Sequence, residues 1–246
     1  MPFVKDNSYR DRVYAEYNQQ STQAKDRLAS RAPYLRWMIK RCFPADHECQ
    51  ILDLGCGDGA LLHFLREADY TNCRGVDISP TQVEAAEQLG VKVERGDLMQ
   101  ALSLMTDKSL DVIVALDVIE HLTKSELLSF ADEIYRALKD GGRWIIHCPN
   151  GDSPFFAAIR YGDWTHEQVF TSTSLLQVIK AAGFGYLSCQ EDPIVPHGLK
   201  SAIRRLLWTI VRTVIRTISL IETGSASNIY TRNLLAIAVK NRSGSE

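Results

Sequence analysis

No C-x-x-C pair, no His/Cys run at metal-ligand spacing, no low-complexity tract and no internal repeat occurs in these 246 residues. The six cysteines (Cys42, Cys49, Cys56, Cys73, Cys148 and Cys189) are scattered. That pattern excludes a zinc-ribbon or disulfide scaffold and favours free thiols in a reducing compartment. Met1-Pro2-Phe3-Val4-Lys5-Asp6 lacks the apolar core of a secretory signal, so the expected location is the cytoplasm. Basic excess is absent too: 28 Lys and Arg stand against 30 Asp and Glu, and a net charge of −2 gives no global field to recruit nucleic acid. What is present is ordinary for a soluble globular chain, with 45% hydrophobic and 24% charged residues. The length suits one α/β domain with embellishments or two small domains.

The most informative stretch is Ile51-Leu52-Asp53-Leu54-Gly55-Cys56-Gly57-Asp58-Gly59, which reads as a buried strand breaking into a glycine turn. Such a turn at the carboxyl edge of a sheet is where open α/β folds bind ligands. Glycines at alternate positions remove each Cβ, so a ligand can lie against the backbone. Asp53 sets the chemistry. A carboxylate suits a ligand carrying an ammonium group better than one carrying phosphate, which points to S-adenosylmethionine (SAM). The competing reading is a dinucleotide site, since Gly55-x-Gly57-x-x-Ala60 also fits the relaxed nicotinamide fingerprint. A bare strand-to-helix turn with no ligand is the third reading, and it leaves Asp53 without a purpose.

Strand and helix patterns alternate along the rest of the chain. Ala32 to Cys42 has apolar residues at helical spacing and, with the tyrosines Tyr9, Tyr14 and Tyr17 before it, reads as a cover over the ligand edge. Cys73 to Ile78 is a strand ending in an acid, and Ser79-Pro80 opens the next helix with an N-cap and a proline at its first position. Val91 to Glu94, the apolar run Leu110 to Leu116, Arg143 to Cys148, Phe184 to Cys189 and Leu234 to Lys240 are further strands. The helices between them are Ala60 to Glu67, Leu127 to Leu138 and Ser174 to Ala182, the last closed by Gly183. Alternation of this kind predicts an α/β fold with a seven-stranded Rossmann-like sheet, mostly parallel with the last strand antiparallel, and helices on both faces. The expected divisions are 1–45 as an N-terminal helical cover, 46–192 as the ligand-binding core, 193–232 as a helical insertion, and 233–246 as last strand and tail.

With those motifs in place, the chain resembles the class I SAM-dependent methyltransferases over roughly residues 45–190. The resemblance implies that Asp53, Gly55, Cys56 and Gly57 hold the amino-acid tail of SAM. Asp77, followed by Ile78, would accept both ribose hydroxyls, a task for a bidentate carboxylate at a strand end. Asp97 would accept from the adenine amino group, with Leu98 as a backbone donor, and Leu116 and Asp117 would lie beside the methyl-donor end. Taken singly, Asp77 could cap the Ser79 helix and Asp97 could be a turn residue.

Two histidines compete for a catalytic role. His121 follows the fourth strand in Asp117-Val118-Ile119-Glu120-His121, and His166 lies in the loop Gly162-Asp163-Trp164-Thr165-His166-Glu167. Either could take the proton of an alcohol acceptor, and either could simply pack its loop. Asp117, Glu120, His121 and His166 together also resemble the metal-ligand set of the small-RNA 3′-terminal 2′-O-methyltransferases and, more loosely, the ubiquinone-biosynthesis O-methyltransferases. Mixed carboxylate and imidazole ligands suit Mg²⁺, Mn²⁺ or Zn²⁺. Asp stands where the RNA enzymes carry Glu, and a metal is not the expected cofactor.

The segment Pro193 to Arg232 is far too long for the hairpin expected between the last two strands. Within it, Lys200 to Ile221 is a strongly amphipathic helix, with Arg205, Arg212 and Arg216 on a narrow face and Leu206, Leu207, Ile210, Val211, Val214, Ile215 and Ile218 on a wide one. Trp208 marks the boundary, Lys200 and Arg204 stand near the start, and Glu222 is the nearby acid. Arginines interrupt the apolar run, so it does not span a membrane. It could lie in a membrane interface, pack on its own domain, or pair a homodimer. The arginine-rich insertion and the Pro149-Asn150-Gly151 to Gly183-Phe184 region also resemble bacterial methyltransferases of surface-polysaccharide synthesis. That resemblance implies O-methylation of a sugar hydroxyl, on a glycan or lipid-linked glycan, with S-adenosylhomocysteine released. Three other readings stay open: a quinone or natural-product methyltransferase, an RNA 2′-O-methyltransferase, and a SAM-binding subunit without turnover.

Overall fold

The computed structural model describes residues 24–226 and 229–242, together with Val13. Tyr9, Tyr14 and Tyr17 lie outside the described residues. The first described helix, α1 (Ala24–Cys42), continues through Pro33. It is followed by β1 (Ile51–Leu54), α2 (Ala60–Glu67), β2 (Cys73–Asp77), α3 (Pro80–Gln88) and β3 (Val93–Arg95). Next come α4 (Leu98–Ser103), β4 (Leu110–Leu116), a 3₁₀ turn (Ile119–His121), α5 (Lys124–Ala137) and β5 (Leu138–Pro149). The chain ends with α6 (Phe156–Arg160), α7 (Ser172–Ala181), β6 (Tyr186–Glu191), α8 (Leu199–Thr223) and β7 (Asn233–Val239).

The seven strands form one sheet in the order β3-β2-β1-β4-β5-β7-β6. β1 to β5 pair in parallel, and β7 inserts antiparallel between β5 and β6. β4 is buried along nearly its whole length, as expected of a parallel strand covered on both faces. One core cluster joins Leu52, Ile113, Phe130, Ile134 and Trp144 under α5 and α7. The other joins Leu35, Met38, Leu61, Phe64, Leu65 and Val114 under α1 and α2. Each fully buried aliphatic or aromatic side chain of this kind contributes about 1.5–3 kcal/mol relative to exposure. Most of α1 therefore covers a sheet face; it is at Arg31 and Tyr34 that it reaches the ligand edge, through contacts to Asp58 and the His147 region.

Capping residues set several boundaries. The Ser79 side chain accepts from the Gln82 N–H, and Asp97 accepts from the Gln100 N–H. Thr123 and Glu126 form a reciprocal capping box on α5. Gly183 turns the chain after α7 with φ +94. α8 departs from the rest: Ser201 is its one buried residue among those described, and its apolar face does not pack on the sheet.

Candidate active site

The carboxyl ends of β1, β2, β3 and β4 converge on a crevice lined by acids. β1 delivers Asp53, which is 2% exposed. Burial lifts its carboxyl to about 7, opposed by Arg31 and aided by Asp77. A buried carboxylate so poorly stabilised calls for a cation. Three left-handed glycines shape the turn after it, with φ of +72, +54 and +73 at Gly55, Gly57 and Gly59. A Cβ at Gly55 would stand 2.6 Å from Val118, and one at Gly59 would stand 2.8 Å from Ala86. At Gly57 the nearest protein atom would be Gln82 Oε1 at 3.8 Å, so space on that side is open to a ligand.

The donors of this turn decide between phosphate and ammonium. The Gly55 and Cys56 N–H groups donate to Val76 O at 2.8 and 3.1 Å, and the Gly59 N–H donates to Cys56 O at 3.1 Å. The Gly57 N–H donates to Asp77 Oδ2 at 2.8 Å. A pyrophosphate cradle needs those N–H groups turned outward. Asp58 also stands at the N-terminal end of α2, accepting from Ala60 N–H and paired to Arg31 at 3.0 Å, where a phosphate would otherwise sit. This turn is not a dinucleotide site.

Asp77 accepts from Gly57 N–H with one oxygen and from Ser79 N–H with the other, both at 2.8 Å. Each oxygen keeps a second lone pair, so the carboxylate is aimed and still able to accept two hydroxyls. Burial raises its carboxyl above the ordinary range despite the two backbone bonds. Ile78 beside it is 46% exposed, an apolar surface at the crevice. Asp97 is the N-cap of α4, where the sequence suggests an adenine acceptor or a turn residue, and Leu98 is the first residue of that helix. A buried acid at the ammonium end, a two-oxygen acceptor at the ribose position and an apolar wall fit a sulfonium nucleoside with an amino-acid tail.

Leu116 ends β4, and Asp117 follows it with φ +56, a left-handed conformation uncommon outside glycine. Its Oδ1 lies 2.7 Å from His147 Nδ1. His147 is 7% exposed. Burial alone would drive off its proton, but Asp117 and Asp192 flank the ring and hold the pKa at about 10. Its Nε2 is 3.5 Å from Asp192, which follows β6, and its ring meets Tyr34 of α1 edge-on. Burial first and Asp192 second push the Tyr34 hydroxyl well above the ordinary tyrosine range.

Next to this pair lies a second cluster. Ligand atoms of Glu120, His121 and His166 fall within 4.8 Å of one another. Of the four residues of the sequence pattern, these three stand together, and Asp117 has its Oδ1 on His147. The loop is tied down by the Glu167 and Gln168 N–H groups donating to Glu120 O at 2.8 and 3.1 Å. Thr165 donates its single proton to Asp163 at 2.6 Å, so at its 2.8 Å contact with His121 the Nδ1–H must be the donor. His166 Nδ1 donates likewise to Ile159 O at 3.0 Å. Both rings, when neutral, therefore present Nε2 as a lone pair. Burial, then His166, keeps His121 below its usual pKa. Glu120 is 1% exposed with Oε2 unpartnered, and burial followed by Asp117 raises its carboxyl well above the ordinary range. This donor set fits a divalent cation, and equally a pair of proton acceptors.

Comparison with known proteins agrees with the geometry. Residues 51–142 match the family described as Methyltransferase domain. Residues 51–142 thus carry a methyltransferase domain, and the core has the fold of the class I SAM-dependent methyltransferases. Over 116 residues this chain is 34% identical to an ajmaline N-methyltransferase of Rauvolfia serpentina, covering 42% of this chain and 38% of that one. Over 161 residues it is 33% identical to an O-methyltransferase of Penicillium expansum, covering 58% and 54%. It thus spans about half or less of these relatives' own lengths. A SAM-dependent methyltransferase structure from Archaeoglobus fulgidus superposes with a TM-score of 0.65 over 84% of this chain and 93% of that one, at 20% identity. That likeness is one of fold.

Four residues of this methyltransferase site were not singled out in the sequence: His147, Asp192, Thr165 and Tyr34. His147 sits in an apolar run and carries no local signal; the pairing of Leu116 with His147 across β4 and β5 puts it beside Asp117.

Proposed function

We propose that this protein transfers a methyl group from SAM to a hydroxyl oxygen. When bound, SAM supplies an electrophilic methyl on a sulfonium and leaves as S-adenosylhomocysteine. Asp53 and the turn Gly55-Cys56-Gly57 hold the amino-acid end, Asp77 and Ile78 the ribose, Asp97 and Leu98 the adenine, and Leu116 and Asp117 flank the methyl end. The observation that carries the choice of oxygen is the Glu120–His121–His166 cluster beside β4, with its two imidazole lone pairs and an unpartnered buried carboxylate oxygen. A neutral amine needs no help to attack a methyl sulfonium, whereas an alcohol gains from a group that takes its proton. His166, and His121 next to it, accept that proton at Nε2. Positioning contributes as well, up to ~7–11 kcal/mol in well-oriented intramolecular systems.

The finer reading is a sugar hydroxyl of a glycan or lipid-linked glycan, supported by the resemblance to polysaccharide-linked methyltransferases over the 149–184 region. A second reading of the same cluster follows from Glu120 Oε2: with His121 and His166 it could hold a divalent cation, which would acidify and orient the hydroxyl. The test is a tritiated-methyl assay on lysate separated into lipid, glycan, nucleic-acid and small-molecule fractions, run with wild type and His166→Ala, with and without chelator. Label in glycan or lipid, lost in the variant, is the expected result. Label in amines unaffected by His166→Ala overturns the hydroxyl reading. Full activity in chelator, with no metal in the purified protein, removes the cation.

A further inference from the structure

The face of α8 that meets the body of the protein is a narrow mixed one and takes from the wide apolar set only Ile215. Ser201 is buried, Trp208, Arg212, Ile215 and Ser219 are half-buried, and Arg212 Nε pairs with Glu191 Oε1 at 3.2 Å. At about 100° per residue these five share one side of the helix. The wide apolar side points the other way: Ile203, Leu206, Ile210, Val214, Ile218 and Ile221 are between 48% and 81% exposed. A water-facing helix puts its charged side out and its apolar side in. α8 leaves its apolar side out, and a contiguous outward apolar stripe of this kind marks a contact surface.

Two independent observations say what covers it. Thr209, Thr213, Thr217 and Thr223 donate their hydroxyls to the carbonyl four residues earlier, at 3.0, 2.9, 2.9 and 2.8 Å. Their hydroxyl protons are taken up inside the helix, so these side chains make less demand on water. The charge is one-sided: Lys200, Arg204, Arg205, Arg212 and Arg216 are accompanied by the single acid Glu222 within α8. Lys200 and Arg204 stand on one flank of α8, and Arg205 and Arg216 on the other, between the face that meets the body and the apolar stripe. From those positions long basic side chains reach up to phosphate while their stems lie along hydrocarbon. A second copy of α8 would bring its exposed Lys200, Arg204, Arg205 and Arg216 close to the same four cations of the first, with Glu222 the single acid between them. An anionic surface meets the same set with complementary charge.

We infer that α8 is a docking surface for the interface of an anionic lipid bilayer, on which it lies flat. Among the described residues no helix is long and apolar enough to cross a membrane, so the contact is peripheral. The location matters. β6 runs parallel to β5, since both pair antiparallel with β7, so Glu191 at its end shares the carboxyl edge with Asp77 and Asp117. Docking through α8 brings the mouth of the site to the lipid surface.

The test is co-sedimentation of the full chain with vesicles of phosphatidylcholine and phosphatidylglycerol in equal amounts, beside phosphatidylcholine alone. The expected result is binding to the anionic vesicles that weakens in high salt and on neutral ones. Ile210→Asp with Val214→Asp, two exposed positions, abolishes it; Arg204→Glu with Arg205→Glu reduces it about tenfold or more. Unchanged circular dichroism and S-adenosylhomocysteine binding confirm that these variants fold. Absence of wild-type binding, or equal binding by the aspartate variant, overturns the inference. So does a homodimer that the aspartate variant dissolves while vesicles are ignored. None of these readouts involves methyl transfer, so either outcome leaves the proposed reaction to its own test.

Discussion

Asp117 and His147 lock each other: the His147 Nδ1–H donates to Asp117 Oδ1 at 2.7 Å while Asp117 holds a left-handed backbone with φ +56 at the end of β4. Such backbone strain, of order 1–3 kcal/mol, persists where surrounding contacts over-determine it. The buried imidazolium supplies that determination. It also explains why the Asp117 carboxyl stays below its usual range, held there by the adjacent His147 charge and hydrogen bond.

A pH dependence of stability follows. His147 moves from 6.5 to about 10 on folding, so between those values the native state holds a proton that the unfolded chain has released. Its contribution is complete below pH 6.5 and is lost as pH rises towards 10. Urea unfolding midpoints of the wild type should fall across that window, and His147→Gln should flatten the fall while lowering stability near neutral pH by roughly 1.5–3 kcal/mol. Parallel pH profiles for the two proteins would show His147 to be neutral in the fold.

Asp53 gives the opposite sign. Its carboxyl rises from 3.8 to about 7 in the ligand-free protein. An ammonium group beside it restores ionisation, so binding below pH 7 releases a proton and affinity climbs with pH until about 7. Calorimetry of S-adenosylhomocysteine in buffers of different ionisation enthalpy measures that proton directly. Asp53→Asn should bind more weakly and without proton release. Identical proton counts in wild type and variant would detach Asp53 from the amino-acid tail.

Gly55 is held by its conformation and by a neighbour. Alanine there would place Cβ 2.6 Å from Val118 Cγ2 at φ +72. The left-handed backbone alone costs a non-glycine residue ~1–2 kcal/mol, and the contact adds to it. Gly55→Ala should lower Tm by roughly 4–8 °C. Adding Val118→Ala should give less destabilisation than the sum of the single changes, the signature of a shared contact. Additive losses would place the cost in the backbone alone.

The methyltransferase core was legible because its signals are local. The strand β1, its glycines and Asp53 are contiguous, and Ser79-Pro80 announces α3 by capping chemistry that depends on adjacent residues. The strand ends that carry Asp77 and Asp97 follow from the same alternation. The site's second half was not legible. His147 and Asp192 reach Asp117 through lateral strand pairing and through β7 threading between β5 and β6, neither of which leaves a mark in nearby sequence. The pairing of Asp117, one of the four residues of the metal pattern, with His147 left no trace in the sequence for the same reason.

The sequence by itself determined that Lys200 to Ile221 is an amphipathic helix, found as Leu199–Thr223, because periodicity is a property of consecutive residues. Which way its apolar face points was decided in the folded chain, where the ion pair of Arg212 with Glu191 and the burial of Ser201 turn the narrow mixed side inward. A helical wheel fixes faces relative to one another, and only contacts with distant residues fix them relative to water.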